Sequence, residues 1–230
     1  MKLDGRQKEI FDLLCERKRA SVAELASTLY VSEMTVRRDL TEMEQQGFLR
    51  RYRGGAVLNP PKETLPVAER HYLEEEEKRA LALAAAPLLA DGLSVYIDSS
   101  STAQYLLPHI KKHEGIRVIT NSVAALLGAE KLHIPCLLIG GDYYERDMCL
   151  VGPMAERCAL DLNVDIGFFS AQGISDDGII SDSTPEQGGV RLAVMKNAKR
   201  SVFLFEKGKF GKKYLYTLCR SDEVEIITAE

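Results

Sequence analysis

The sequence predicts two domains: a small helical domain that ends in a β-hairpin, and a larger α/β domain built on a mostly parallel sheet. Within residues 6–45, apolar side chains recur at the spacing of amphipathic helices. Prolines then cluster in residues 58–66, where neither a helix nor a sheet interior can continue. Beyond residue 90, short apolar runs alternate with polar loops and helical segments, which is typical of a parallel sheet covered on both faces.

The charge is distributed unevenly along the chain. Its 230 residues are 45% hydrophobic and 28% charged, with a net charge of −4, which is globular composition and enough chain for two domains. Residues 1–60 contain eleven Lys and Arg against nine Asp and Glu, whereas the remainder contains nineteen against twenty-five. A net positive first segment followed by a net negative remainder indicates that the first domain binds a nucleic acid.

The sequence predicts neither a metal site nor a cofactor nor a membrane segment. It contains no C-x-x-C motif and no Cys/His cluster with metal-ligand spacing, so we expect reduced, mostly buried thiols in the cytoplasm. No stretch approaches 18 apolar residues without a charge, so no transmembrane helix is expected. The five thiols belong to Cys15, Cys136, Cys149, Cys158 and Cys219.

The first domain begins with two predicted helices. An amphipathic helix is expected over about residues 6–17. Ser21 and Glu24 have the spacing of a capping box, which predicts a short second helix over about residues 22–29. A turn through residues 30–31 then leads to Ser32, a good N-cap for a third helix.

The third helix carries two adjacent arginines. Val36, Leu40 and Met43 recur at the spacing of one buried helical face. At about 100° per residue, Arg37 and Arg38 then point away from that face. Two helices joined by a short turn, the second with outward cations, match a helix-turn-helix.

A basic hairpin is predicted directly after this helix. The segment GFLRRYRGGAVL, residues 47–58, predicts two short strands around a Gly-containing turn. Arg50, Arg51 and Arg53 place long cations beside a backbone that can approach closely, which suits phosphates and the minor groove. The alternative is an ordinary three-helix bundle with a solvated basic surface.

The segment T-V-R-R-D-L, residues 35–40, together with Arg6, Ile10, Leu13 and Ser32, resembles the N-terminal signature of the DeoR family of transcriptional regulators. The resemblance implies a winged helix-turn-helix whose recognition helix enters the major groove of operator DNA. Asp39 is expected to be a structural partner within the domain, because a carboxylate that faces phosphates is repelled. The predicted DNA-binding residues are Ser32, Glu33, Thr35, Arg37, Arg38, Arg50, Arg51 and Arg53.

We expect the DNA-binding domain to span residues 1–58, a linker to span 59–74, and the second domain to span 75–230. Pro60 and Pro61 mark the boundary. The acidic run at residues 74–77 suits the first turn of a helix, and a functional acidic patch is the alternative.

Six strands are predicted in the second domain, at residues 93–97, 116–120, 134–141, 164–174, 201–206 and 223–228. In a parallel sheet, ligands bind at the carboxyl ends of the strands. Hydroxyls and backbone N–H groups at helix starts suit an anion, and these loops also contain a Lys and an Arg, so they predict a pocket for a small phosphorylated, hydroxyl-rich molecule. The predicted effector-binding residues are Asp98, Ser99, Ser100, Ser101, Thr102, Thr120, Asn121, Ser122, Gly140, Gly141, Arg146, Gly173 and Lys209.

Residues 75–229 resemble the DeoR C-terminal sensor domain through the loops DSSST, TNS and IGG, the segment KFG and the final VEIIT. The resemblance implies a fold similar to ribose-5-phosphate isomerase and the sensing of sugar phosphates. The sequence departs from the family at residues 206–208, Glu-Lys-Gly, where an Asp-Ser-Ser type triplet is usual. An acidic residue is also common shortly before Val190, and either Glu186 fills that role or Gln187 replaces it.

These features predict a cytoplasmic repressor of a carbohydrate-utilisation operon that is relieved by a phosphorylated sugar. Since a two-fold operator requires more than one DNA-binding domain, a homodimer or larger oligomer is expected. One alternative is a sugar-phosphate isomerase, whose carboxylate base would be Asp98 or Glu206. We predict no enzyme activity, because Asp98 reads equally well as a loop organiser and no second convergent carboxylate is evident. The other alternative is a DNA-binding protein whose second domain only oligomerises and takes no ligand.

Overall fold

The computed structural model describes residues 5–17, 19–45, 48–58 and 65–229. It divides into two compact units, Met1–Thr64 and Leu65–Glu230. Pro60 and Pro61, which the sequence marks as the boundary, lie outside the described residues.

The described residues of the first unit form three helices and a three-stranded antiparallel sheet. Its elements are α1 (Gly5–Arg17), β1 (Arg19–Ser21), α2 (Val22–Thr28), α3 (Glu33–Gln45), β2 (Leu49–Tyr52) and β3 (Gly55–Leu58). The predicted capping box is present, because the Ser21 hydroxyl accepts from the Glu24 N–H and the Glu24 carboxylate accepts from the Ser21 N–H. The sheet order is β1-β3-β2, so the predicted hairpin gains β1 as a third strand.

One face of α3 closes the core of the first unit, as predicted. Val36, Leu40 and Met43 are fully buried and pack with Ile10 and Leu14 from α1. Arg37 and Arg38 lie on the exposed face of the same helix. The packing therefore fixes which side of α3 faces outward.

The second unit follows the predicted alternation of strands and helices. Its helices are α4 (Val67–Tyr72), α5 (Glu75–Ala85), α6 (Leu107–Ile110), α7 (Val123–Lys131), α8 (Gly152–Leu160) and α9 (Pro185–Asn197). Its strands are β4 (Ser94–Ile97), β5 (Arg117–Thr120), β6 (Cys136–Leu138), β7 (Asp142–Tyr144), β8 (Cys149–Val151), β9 (Val164–Phe169), β10 (Gly173–Ile174), β11 (Ile179–Asp182), β12 (Ala198–Phe205), β13 (Tyr216–Arg220) and β14 (Glu225–Thr228).

The main sheet has six parallel strands in the order β6-β5-β4-β9-β12-β14. Each predicted strand contributes one of them, so the predicted mostly parallel sheet is confirmed. The chain builds the sheet outward from β4 to one edge, and then from β9 to the other. This reversal creates a crevice beyond the carboxyl ends of β4 and β9, where ligands of such sheets bind.

Both faces of this sheet are covered. One core cluster joins α5, α6 and α7 to alternate strand residues such as Ile97 and Phe168. The other joins α8 and α9 to the intervening residues, such as Tyr96 and Phe169. Burial on both faces explains why these strands read as continuous apolar runs.

Three features differ from the sequence-based expectations. Residues 164–174 do not form one strand: β9 ends at Phe169, and β10 belongs to a separate antiparallel sheet with β11 and β13. β7 and β8 form an unpredicted hairpin. Helix α4 lies within the segment expected to be a linker, and residues 65–74 group with the second unit. Among the residues the structure describes, no helix is long and apolar enough to cross a bilayer.

Candidate DNA-binding and effector sites

The first turn of α3 is shaped by two hydroxyls. The Ser32 hydroxyl accepts from the Thr35 N–H at 3.2 Å and lies 2.9 Å from the Thr35 hydroxyl. Capping in this way leaves the other N–H groups of the first turn available to an incoming anion. Glu33, in the same turn, is paired with Arg37 at 3.0 Å, and both side chains are more than half exposed. Such an exposed pair is weak, so Arg37 can exchange it for a phosphate or a base edge.

Asp39 lies on the buried side of α3. It is 1% exposed and forms an ion pair with Arg6 of α1. The expected structural role of Asp39 is therefore consistent with its position, since it ties α1 to α3 and does not face outward.

The hairpin is tied to α3 through Arg51. The Arg51 guanidinium donates to the Thr41 hydroxyl, and the Arg51 N–H donates to the Glu44 carboxylate at 2.7 Å. Thr41 in turn donates to the Arg37 carbonyl at 2.7 Å. These bonds fix the hairpin against the helix that carries the outward arginines.

The eight predicted DNA-binding residues thus lie on one helix and the hairpin beside it. Arg38, Arg50 and Arg53 are exposed, and the structure gives them no ion pair with other described residues. Arg51 is the exception, because its guanidinium is already bonded within the unit. Arg38, Arg50 in β2 and Arg53 in the turn of the hairpin are therefore the cations best placed for a polyanion.

In the second unit, the loop after β4 is buried and internally bonded. Asp98 accepts from the N–H groups of Ser100 at 2.9 Å and Ser170 at 3.1 Å. The Ser100 hydroxyl accepts from the Ala103 N–H at 3.1 Å. Each residue from Asp98 to Thr102 is at most 6% exposed. Asp98 therefore organises this loop and joins it to the end of β9.

The loop after β5 is organised in the same way. The Thr120 hydroxyl donates to the Ile97 carbonyl at 2.6 Å and accepts from the Ser122 N–H at 3.0 Å. The Asn121 amide oxygen accepts from the Tyr96 hydroxyl at 2.8 Å. Ser122 caps α7 through the Ala125 N–H. These predicted residues line the same sheet edge, but their hydroxyls bond to the protein itself.

Arg191 of α9 lies beneath the loops. It is 4% exposed, donates to Asp98 at 2.9 Å, and also donates to Asp182 at the end of β11. Burial raises the pKa of the Asp182 carboxyl, because the cost of keeping its charge from water exceeds the opposing effect of Arg191. Gln187, one turn earlier on α9, donates to Asp147. Glu186 is exposed, so Gln187 takes the inward position of the pair that the sequence left open.

A second buried cluster forms where β9 and β12 end. The Thr102 hydroxyl donates to Glu206 at 2.7 Å, and the Lys209 ammonium lies 2.5 Å from the other oxygen of that carboxylate. Lys209 also donates to the Ser170 hydroxyl at 2.7 Å. Lys209 was predicted as an effector contact, and here its charge is matched by Glu206.

Helix α4 is held against the same edge of the sheet. Lys78 of α5 is fully buried, and its ammonium donates to the Arg70 carbonyl and, at 3.1 Å, to the Ser101 hydroxyl. The Tyr105 hydroxyl donates to the His71 carbonyl at 2.8 Å. Burial lowers the pKa of His71, and the nearby Lys78 charge adds to this effect.

The remaining predicted effector residues are less central. Arg146 is partly exposed, bonds to Asp147 and Thr184, and borders a cavity of about 460 Å³ beside α4. A Cβ on Gly141 would lie 2.6 Å from the Val151 carbonyl, and one on Gly173 would lie 2.6 Å from the Lys212 carbonyl. These two glycines therefore permit close backbone approach. Gly140 is exposed, with nothing within 4 Å of its Cβ position.

Several of the buried charged residues that hold these loops were not predicted from the sequence. Lys78 stands three residues before Leu81 on the buried stripe of α5, and Arg191 lies between Gln187 and Val194 on the buried stripe of α9. A charged residue at a position of the apolar helical face was the feature that could have indicated these two buried charges. Arg70, Asp147 and Asp182 gave no comparable signal. No cluster of metal-ligating side chains occurs within the part of the chain that the structure describes.

Two family models match the chain: the DeoR-like helix-turn-helix domain over residues 6–62 and the DeoR C terminal sensor domain over residues 73–230. The lactose phosphotransferase system repressor of Staphylococcus epidermidis is 29% identical over 227 residues, which cover 96% of this chain and 90% of that protein. The glycerol-3-phosphate regulon repressor of Escherichia coli is 26% identical, with coverage of 95% and 87%. The L-fucose operon activator of Haemophilus influenzae is 29% identical, with coverage of 99% and 92%.

Solved structures resemble parts of the chain. eIF2B delta from Chaetomium thermophilum superposes with a TM-score of 0.51 at 15% identity, covering 68% of this chain and 58% of that one. Ribose 5-phosphate isomerase A from Methanocaldococcus jannaschii gives a TM-score of 0.45 at 19% identity, with coverage of 59% and 54%. At such identities the likeness concerns the fold alone.

Proposed function

The chain belongs to the DeoR family of DNA-binding transcriptional regulators, and from this premise we propose that it represses an operon for carbohydrate use until a phosphorylated sugar binds. The observation that carries the proposal is the pairing of a basic helix and hairpin with a polar crevice at the switch point of a parallel sheet. The names of the lactose and glycerol-3-phosphate repressors support the class of operon. Because another relative is named an operon activator, experiment must establish whether this chain represses or activates transcription.

For DNA, we propose that α3 enters the major groove and that the hairpin lies on the adjacent backbone. Arg37 and Arg38 would contact base edges or phosphates, and Arg50 and Arg53 would contact phosphates. Ser32, Glu33 and Thr35 would line the groove end of the helix, and Arg51 would contact a phosphate beside them. A regulator of this kind works on a two-fold operator in the cytoplasm, so we propose a homodimer or larger oligomer.

For the effector, we propose that the loops after β4, β5, β9 and β12 form the site. Their hydroxyls and ammonium groups are suited to a phosphate, since hydrogen bonds to a charged acceptor are stronger than those to a neutral one. Because these donors now bond within the protein, a ligand must replace contacts that are already made. That requirement favours a dianion over a neutral sugar.

One specific observation favours a second candidate, in which the second unit takes no ligand and only oligomerises. Hydroxyls of the predicted loops already have hydrogen-bond partners within the protein. For example, the Ser100 hydroxyl accepts from the Ala103 N–H, and the Thr102 hydroxyl donates to the Glu206 carboxylate. The relatives described above are named as transcriptional repressors or activators, so we propose no isomerase activity. Turnover of ribose 5-phosphate by the purified chain would contradict that.

A binding experiment tests the proposal directly. The purified full chain selects its operator from a random DNA library, and operator affinity is then measured with and without a panel of sugars and sugar phosphates. We expect phosphorylated sugars to raise the melting temperature and to change operator affinity, and free sugars to do little. At a hundredfold excess over Kd, a ligand that binds only the folded state adds about 2.7 kcal/mol to stability. If no sugar phosphate acts at millimolar concentration, the oligomerisation-only function is favoured.

A further inference from the structure

One apolar side chain lies in the middle of the outward face of α3. Met34, the second residue of the helix, is 80% exposed. At about 100° per residue, the buried residues Val36, Leu40 and Met43 lie on the opposite side of the helix. The packing that closes the core of the first unit therefore directs Met34 away from that core.

The two outward arginines stand one turn further along the same face. Arg37 and Arg38 are three and four residues after Met34, so they are its neighbours on the helix surface, one to each side of it. Arg37 pairs with Glu33 at 3.0 Å. Both members of that pair lie to the same side of Met34, and its exposed fraction shows that the pair leaves it open to solvent.

The hairpin is attached to the other end of α3. Its bonds run from Arg51 to Thr41 and Glu44, both in the second half of the helix. Met34 lies in the first turn. In helix-turn-helix proteins, the N-terminal residues of the recognition helix are the ones that contact base edges. Met34 therefore occupies a position that faces bases when α3 enters the major groove.

A methionine in this position recognises a different feature of DNA than an arginine does. Its thioether side chain has no charge and no hydrogen-bond donor, so it gains little from a phosphate. In the major groove, the bases present donors and acceptors, and thymine also presents the apolar C5-methyl group. Single exposed apolar residues are common on protein surfaces. What distinguishes Met34 is its place at the centre of the face that carries the arginines.

We propose that Met34 helps to set the operator sequence by packing against the C5-methyl group of a thymine, beside the contacts made by Arg37 and Arg38. The arginines supply affinity, and Met34 supplies a preference for one base. The inference rests on the proposed entry of α3 into the major groove and adds to it a residue that reads sequence without charge. Loss of one buried methyl group from such a contact weakens binding by roughly fourfold.

The test uses deoxyuridine, which differs from thymidine only in lacking that methyl group. Each thymine in one half-site of the operator selected by the full chain is replaced by uracil in turn. Fluorescence anisotropy then gives the affinity of the full chain for each duplex. We expect replacement of one particular thymine to weaken wild-type binding by about fourfold.

The variant Met34→Ala should abolish that difference. It removes the side chain beyond Cβ and keeps every charge, so it should bind the thymine and uracil duplexes with equal affinity. Because Met34 is exposed and alanine favours a helix, the variant should fold, and circular dichroism checks this. The matched control is Met154→Ala, at a methionine of α8 that is 64% exposed, and it should keep the wild-type difference.

Two results would overturn the inference while the Arg37/Arg38 double variant still loses operator affinity. One is that no uracil in the half-site weakens wild-type binding. The other is a uracil effect of the same size in Met34→Ala as in the wild type, which would assign the methyl contact to another residue such as Thr35. If instead the folded double variant keeps full affinity, α3 is not the recognition helix, and the inference and the proposed docking of α3 fail together.

Discussion

Arg6 and Asp39 form a two-bond ion pair between α1 and α3, with Nε–Oδ2 at 2.5 Å and Nη2–Oδ1 at 3.0 Å. Asp39 is buried, and the Arg6 side chain is one-third exposed. Removing one partner of a buried pair is costly, and the partial exposure of Arg6 reduces that cost. We therefore predict that Asp39→Ala destabilises the first unit by about 1–3 kcal/mol.

Hydrogen exchange of peptides from residues 5–58 measures this loss of stability. Asp12→Ala is the matched control, because Asp12 is an exposed carboxylate on α1. Under conditions where the first unit stays folded, Asp39→Ala should bind operator DNA within a few-fold of the wild type. A large loss of affinity with unchanged exchange would show that Asp39 acts at the DNA.

The exposed arginines of α3 should carry operator affinity. We predict that Arg37→Ala and Arg38→Ala each weaken operator binding by about 1–3 kcal/mol, because each removes a contact to a base edge or phosphate. Fluorescence anisotropy with the selected operator measures the change. Arg157→Ala, at an exposed arginine of α8, should leave affinity unchanged, and unchanged affinity in a folded Arg37/Arg38 double variant would rule out α3 as the recognition helix.

The tie between the hairpin and α3 gives a separate prediction. Thr41→Val removes the hydroxyl that accepts from Arg51 but keeps every cation. We predict that the first unit loses about 0.5–1.5 kcal/mol of stability, the usual value of one hydrogen bond, and that operator binding, measured by fluorescence anisotropy, weakens by no more than this amount with an unchanged salt dependence. Arg51→Ala should weaken all DNA sequences alike and reduce the salt slope by about one unit. If both variants have the same salt slope, Arg51 only positions the hairpin and does not contact phosphate.

A buried thiol should make stability fall in alkali. Burial raises the pKa of the Cys149 thiol to about 11 in the folded protein. In an unfolded chain the pKa of a cysteine is about 8.5. Since the unfolded chain loses its thiol proton first, the free energy of unfolding should fall as the pH rises from about 8.5 to about 11, by up to about 1.4 kcal/mol per unit for this group. Urea titrations at several pH values should show a shallower fall for Cys149→Ala. The fall should be unchanged for Cys158→Ala, because that exposed thiol meets water in both states.

Helix α4 should be needed for the second unit to reach full stability. Fragment 65–230 keeps the Arg70–Asp147 ion pair and the carbonyls that accept from Lys78 and Tyr105, whereas fragment 75–230 lacks them. We predict that the shorter fragment is less stable by about 2–5 kcal/mol, because it leaves the buried charges of Asp147 and Lys78 with fewer partners. Thermal and urea unfolding of both fragments measure the difference. Equal stabilities of the two fragments would show that residues 65–74 act as a linker. Glu69→Ala in the longer fragment is the control, because Glu69 is exposed, and it should leave the stability unchanged.

The four inner strands β4, β5, β9 and β12 could be predicted from the sequence because burial on both faces makes much of each a continuous apolar run, whereas the edge strands β6 and β14 are partly exposed. The third helix could be predicted for a related reason, since Val36, Leu40 and Met43 mark its buried face. β1, β7, β8 and β10 have only two or three residues each. Such short strands are held by their partners and leave no period of their own to detect.

The sequence could predict that these loops share one edge of the sheet, but not the bonds that their side chains make. The loops were found because polar residues follow apolar strands, and they do meet at one edge of the sheet. What those residues bond to depends on distant parts of the chain: Thr102 meets Glu206, which is 104 residues away. Lys209 was predicted to contact a ligand because no local pattern in the sequence indicates that Glu206 matches its charge.

Lys78 and Tyr105 donate hydrogen bonds to successive carbonyls of α4. These bonds bear on the concentration of sugar phosphate that would be needed to release the protein from DNA. Lys78 also bonds to Ser101, so a ligand that draws Lys78 toward itself weakens the hold on the helix that opens the second unit. If operator DNA favours the held arrangement, the two binding events share one free energy of coupling, and that coupling is reciprocal. Bound DNA would then raise the apparent Kd for the sugar by the same factor by which the sugar raises the Kd for DNA. A repressor sitting on its operator would therefore respond at a higher sugar concentration than the same protein free in solution.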